Sequence, residues 1–78
     1  MEIKEAKNMF DAGVYKTAIV SRYPMRKGYM LALNASHNRI TYLTGQRSGN
    51  EPREFSSIDA AVANANKIGF QTITVDLS

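Results

Sequence analysis

The sequence predicts a small α+β domain with element order α-β-β-β-α-β, an antiparallel-dominated sheet and both helices on one of its faces. Three observations carry the prediction. Apolar residues recur at helical spacing near both ends of the chain, β-branched and aromatic runs fill the middle, and the last residues alternate between apolar and polar. No repeat or low-complexity tract divides the 78 residues, so residues 1–78 are read as one domain, burying about 60% of the surface of its unfolded chain.

The first element is a short helix. Ile3, Ala6 and Phe10 share one face, and Gly13 closes it. Val14 to Ser21 is rich in β-branched and aromatic residues, Tyr29 to Leu33 is an apolar run set off by Gly28, and Ile40 to Leu43 makes a third strand. Asn34 to Asn38 is turn-forming, which predicts an antiparallel hairpin between the second and third strands, while Ser21 to Lys27, with Pro24, links the first two. Thr44 to Arg53 holds two glycines and a proline and is read as a loop.

The second helix has the clearest signals. Ser56 and Asp59 have capping-box spacing, and Ile58, Ala61, Val62, Ala65 and Ile68 form one apolar stripe with Asn64, Asn66 and Lys67 turned outward. Gly69 is placed for a left-handed C-terminal cap, with Phe70 folding back on Ala65. In the closing strand, Thr72 to Leu77, Ile73, Val75 and Leu77 face one way and Thr72, Thr74 and Asp76 the other. A helical crossover should return this strand parallel to the third. Tyr29, Leu31 and Leu33 share one face of the second strand and Met30 and Ala32 the other, so both faces are apolar, as in a central strand covered by helices or in a sheet whose second face meets a partner.

Charge is unevenly placed. Between Ala12 and Asn50 there is no Asp or Glu, but Lys16, Arg22, Arg26, Lys27, Arg39 and Arg47 give that window +6, while the flanks carry −1 and −2. A one-signed block in a balanced small domain makes a directional field of the kind that meets a polyanion. Arg22, Tyr23, Arg26 and Lys27 crowd the link between the first two strands, with Tyr29 following. The cations can neutralise phosphates and the aromatic rings can stack on exposed bases. Arg39 and Arg47 add charge nearby in sequence, so Arg22, Tyr23, Arg26, Lys27, Arg39 and Arg47 are the candidate nucleic-acid contacts. The alternative reading puts the tyrosines in the core and leaves the cations to solubilise a hairpin tip.

Catalytic and metal chemistry find little to work with. The chain has no cysteine and one histidine, His37, in a turn-forming segment with no carboxylate near it. Disulfides and thiolate-ligated metal are excluded, and His37 is read as an exposed turn residue. Glu51 and Glu54 flank Pro52 and are interleaved with Arg53, which would keep both ionised, so they read as solvated loop charges rather than an acid pair. Gly45 and Gly49 bracket Arg47 and Ser48 at a spacing that fits neither a Walker loop nor a dinucleotide fingerprint. We expect no enzyme and no cofactor. The N-terminal residues lack the apolar core of a secretory signal, and no run approaches the ~20 apolar residues of a membrane span. A cytoplasmic protein with no membrane partner is expected.

The segment Arg53-Glu54-Phe55-Ser56-Ser57-Ile58-Asp59-Ala60-Ala61, continuing to Lys67-Ile68-Gly69-Phe70, resembles the closing part of short proteins carried on plasmids and other mobile elements. There an arginine and an aromatic precede a Ser-x-aliphatic-Asp helix start, and an aliphatic-Gly pair ends the helix. The resemblance implies an accessory factor of replication, maintenance or transfer, with nucleic acid or a host protein that handles it as partner.

The expected function is therefore a small non-enzymatic nucleic-acid-binding domain that contacts the phosphate backbone or a single strand. The outward face of the second helix is almost uncharged and offers no major-groove reader. The alternative is a protein-interaction module that docks on a host complex by a sheet edge or by an uncovered face. The last strand has only Asp76 as a charged guard, so it must be paired on both sides within the monomer or pair with a second copy. We expect a homodimer.

Overall fold

The computed structural model describes residues 2–36, 39–44 and 51–77. Its elements are α1 (Ile3–Asp11), β1 (Tyr15–Arg22), β2 (Tyr29–Ala35), β3 (Ile40–Tyr42), α2 (Ile58–Ile68) and β4 (Ile73–Asp76). This is the order read from the sequence, in a four-stranded sheet of strand order β3-β2-β1-β4.

Both helices end as their sequences direct. After α1, Gly13 takes a φ of 81° that a larger side chain would resist, and the Val14 amide then donates to the Met9 carbonyl at 3.0 Å. After α2, Gly69 has φ 133°, and the amides of Gly69 and Phe70 both donate to the Ala65 carbonyl at 3.2 Å. The Phe70 ring then meets Phe10 edge-on, with centroids 4.6 Å apart, which joins the end of α2 to α1.

The start of α2 differs from expectation by one residue. Ser57, not Ser56, is the N-cap: its Oγ accepts the Ala60 amide hydrogen at 3.1 Å. The third helical position is therefore Ala60, so Asp59 has no capping-box role and contributes as an acid in the first turn. Two adjacent serines give the sequence equal cap candidates. The buried stripe selects between them by requiring Ala61, Ala65 and Ile68 to face the sheet.

The sheet is mixed. β1 pairs antiparallel with β2, and β2 antiparallel with β3, while β4 lies parallel to β1. β4 runs in the same sense as β3, as expected, but at the opposite edge, because α2 packs across β2 and β1 and carries the chain over both. Among the described residues β4 is therefore an edge strand paired with β1 alone, not a strand paired on both sides. β2 takes in Asn34 and Ala35, which the sequence reading placed in a turn, and the Ala35 amide donates to the Arg39 carbonyl at 2.7 Å.

One face of the sheet holds the core. Ala18, Val20, Leu31 and Leu33 pack with Ala6, Ala61, Ala65, Ile68, Leu43, Phe55 and Phe70. A register shift between Tyr15 and Thr17 turns the Tyr15 side chain into the same core. The other face carries Ile19, Met30, Ala32, Ile40 and Tyr42, and the helices do not cover it. β2 is thus an interior strand, as one reading of its two apolar faces expected, but both helices pack on the same side of it.

Candidate nucleic-acid interface

The link between β1 and β2 is built around a tight turn. Pro24 fixes its own φ, Met25 follows at φ 61°, and the Arg26 amide donates to the Tyr23 carbonyl at 3.2 Å, which makes Tyr23–Arg26 a type II turn. The Tyr23 amide closes the base of the hairpin on the Gly28 carbonyl at 2.9 Å. Met25, at the tip, is fully exposed.

This hairpin is braced from outside. Residues 52–55 lie beside it: the Tyr23 hydroxyl donates to the Pro52 carbonyl at 2.8 Å, and the Gly28 amide donates to Glu54 Oε2 at 3.0 Å. Tyr29 and Phe55 exchange backbone hydrogen bonds of 2.9 and 2.8 Å. Gly28 is required by this contact, since a Cβ there would overlap the Glu54 side chain and approach the Phe55 carbonyl oxygen to 2.7 Å.

The fold groups four of the candidate residues and separates the others. Arg22, Tyr23, Arg26 and Lys27 share the hairpin. Arg22 donates from Nε to the Leu77 carbonyl at 3.2 Å, tying the end of β1 to the residue after β4. Tyr23 has its hydroxyl on Pro52 and the Arg26 guanidinium 4.8 Å from its ring centroid, so one ring face is already taken. Tyr29 packs against the core cluster, and Lys27 is exposed. Arg39 is exposed at the other end of the sheet, roughly 20 Å away by the rise along β2. Arg47, His37, Gly45 and Gly49 lie outside the described residues.

Folding also changes the charge pattern. Glu54 returns to the hairpin and lies 3.7 Å from Arg26, and Asp76 pairs in register with Ser21, the residue before Arg22. Two acids therefore border a segment that is acid-free in sequence. The Arg26–Glu54 pair is half-exposed on both sides, so solvent screens it and it constrains Arg26 weakly. Glu54 is the residue that sequence reasoning missed. It reads as a solvated loop charge, and no local pattern links it to a glycine 26 residues earlier. Among the described residues no group of three or more His, Cys, Asp or Glu is placed to hold a metal ion, and no helix is long and apolar enough to cross a membrane.

No known protein family, curated protein or solved structure matches this chain. Function must be argued from the site itself.

Proposed function

We propose that the protein is a small nucleic-acid-binding domain that contacts the phosphate backbone through the β1–β2 hairpin. The reading is carried by one observation: Arg22, Arg26 and Lys27 stand on a hairpin held to residues 52–55 by four hydrogen bonds, three through its backbone and one from the Tyr23 hydroxyl. Cations on a braced scaffold lose less conformational freedom on meeting a phosphate than cations on a loose loop. With one face of Tyr23 and most of Tyr29 occupied, phosphate contact outweighs base stacking in this reading. The resemblance of residues 53–70 to mobile-element proteins points to the same partner class.

Salt dependence is the test. Three phosphate contacts give a slope of log affinity against log salt of roughly −2 to −3, at about −0.7 to −0.9 per contact. Anisotropy of labelled duplex and single-stranded oligonucleotides, from low to moderate salt, measures it. Absence of binding at low salt overturns the reading.

A second reading, docking on another protein or on a second copy, is favoured by the open side of the sheet. Val75 and Leu77 are 42% and 40% exposed at or beside the β4 edge, and Ile40 and Tyr42 are exposed on the uncovered face. An edge strand offers unpaired backbone groups to another strand. Two copies joined antiparallel through β4 would point their hairpins in opposite directions, because each hairpin lies at the C-terminal end of its own β4. Such a dimer would not merge the two basic segments into one surface. Sedimentation equilibrium at micromolar concentration, together with pull-down from lysate with and without nuclease, separates this reading from the first.

A further inference from the structure

A second basic cluster is built from three cations outside the acid-free window, two on α1 and Arg53, which sits between the hairpin-bracing residues Pro52 and Glu54. The N-terminal end of α1 and the strand-like returns at Thr44 and Arg53 enclose a groove of about 620 Å³, lined by Glu2, Ile3, Lys4, Lys7, Thr44 and Arg53. Its volume is within the roughly 300–1,000 Å³ typical of small-molecule sites. Three cations face one carboxylate.

Two parts of the fold supply the cations. Lys4 and Lys7 are three residues apart on α1 and so share a face of the helix. Arg53 is fixed at the backbone, where its amide donates to the Leu43 carbonyl at 2.8 Å, and at the side chain, where its guanidinium lies 5.0 Å from the centroid of the buried Phe55 ring. Stacking on a ring leaves the in-plane N–H groups of a guanidinium available, in the fork geometry that matches a phosphate. The groove also meets the first turn of α1, where Glu2 is the N-cap residue but its side chain makes no capping hydrogen bond. The first-turn amides add partial positive charge beside Lys4, offset in part by the Glu5 carboxylate in the same turn. Bringing Lys4, Lys7 and Arg53 together is unfavourable among like charges and becomes favourable once an anion stands between them.

We propose that this groove binds a phosphate group, with Arg53 as the bidentate donor and Lys4 and Lys7 as point charges. The phosphate belongs either to a free polyphosphate compound or to a nucleic-acid strand that also reaches the hairpin. The inference does not require the hairpin reading, and its test is separate.

Amide chemical shifts of the full chain are followed by NMR during titration with inorganic pyrophosphate and, separately, with a short single-stranded oligonucleotide. We expect saturable shifts at Ile3, Lys4 and Arg53 with at least one of the two ligands. Lys7→Gln should weaken that binding roughly fivefold, and Arg26→Gln with Lys27→Gln should leave the pyrophosphate response unchanged. Pyrophosphate alone moving these amides identifies a free polyphosphate as the source, and the oligonucleotide alone identifies a strand. If neither ligand moves them, or if Lys7→Gln and Arg53→Gln change nothing while the core amides retain their native positions, the proposal is wrong. Lys7 is exposed, so Lys7→Gln keeps the test valid should Arg53→Gln perturb Phe55.

Discussion

Glu54 binds Gly28: its Oε2 accepts the Gly28 amide hydrogen at 3.0 Å, and its Oε1 lies 3.7 Å from Arg26. One side chain thus closes the hairpin against residues 52–55 and offsets part of the hairpin's charge. The two roles can be separated. Glu54→Gln keeps an acceptor for Gly28 and removes the charge, so it should leave stability within about 1 kcal/mol and raise oligonucleotide affinity at low salt. Glu54→Ala should cost roughly 1–3 kcal/mol, because the Gly28 amide loses its partner. Urea titration and anisotropy on the same two variants check both statements.

Helix entry at Ser57 gives a contrast between neighbours. Ser57→Ala should cost about 1 kcal/mol through loss of the bond to Ala60, and Ser56→Ala, at an exposed position, under about 0.5. Ile68 is fully buried, so Ile68→Ala should cost roughly 2–5 kcal/mol. Denaturant midpoints at constant slope decide all three. Equal midpoints for the two serine variants would move the cap.

Tyr15 makes stability depend on pH at the alkaline end. Burial pushes its phenol above the usual value of about 10, the Glu5 charge adds to this, and a hydrogen bond with Thr41 works against it. The raised folded value means that the unfolded chain ionises first. The contribution is therefore present in full below pH 10 and is lost as pH rises through the folded value. Tyr15→Phe should show a shallower fall in thermal midpoint between pH 9 and 11.5 than the parent protein. Parallel curves would mean that Tyr15 contributes nothing to that fall.

Met25 is held at φ 61° with its side chain fully exposed. A non-glycine residue there costs roughly 1–2 kcal/mol, against about 0.5–1 for the extra chain entropy that glycine loses on folding. Met25→Gly should therefore raise stability by up to about 1 kcal/mol. A lower urea midpoint would show that the methionine makes a stabilising contact.

The sequence by itself determined the order and type of all six elements, because periodicity, glycine caps and alternation are local signals that tertiary packing had no reason to override. Ile58 to Ile68 with Gly69, and Ile73 to Leu77, are legible for that reason. Of the candidate site, the hairpin grouping of Arg22, Tyr23, Arg26 and Lys27 was legible because those residues are neighbours in the chain. The tertiary structure alone decided what surrounds them. It placed β4 beside β1, returned Glu54 and Asp76 to an acid-free segment, and sent Arg39 to the far end of the sheet. It also gathered Lys4, Lys7 and Arg53 into one groove. Charge read along a chain measures neighbours in sequence. The field that a ligand meets depends on neighbours in space, and those are set by a strand crossover and a long-range ladder that no local pattern encodes.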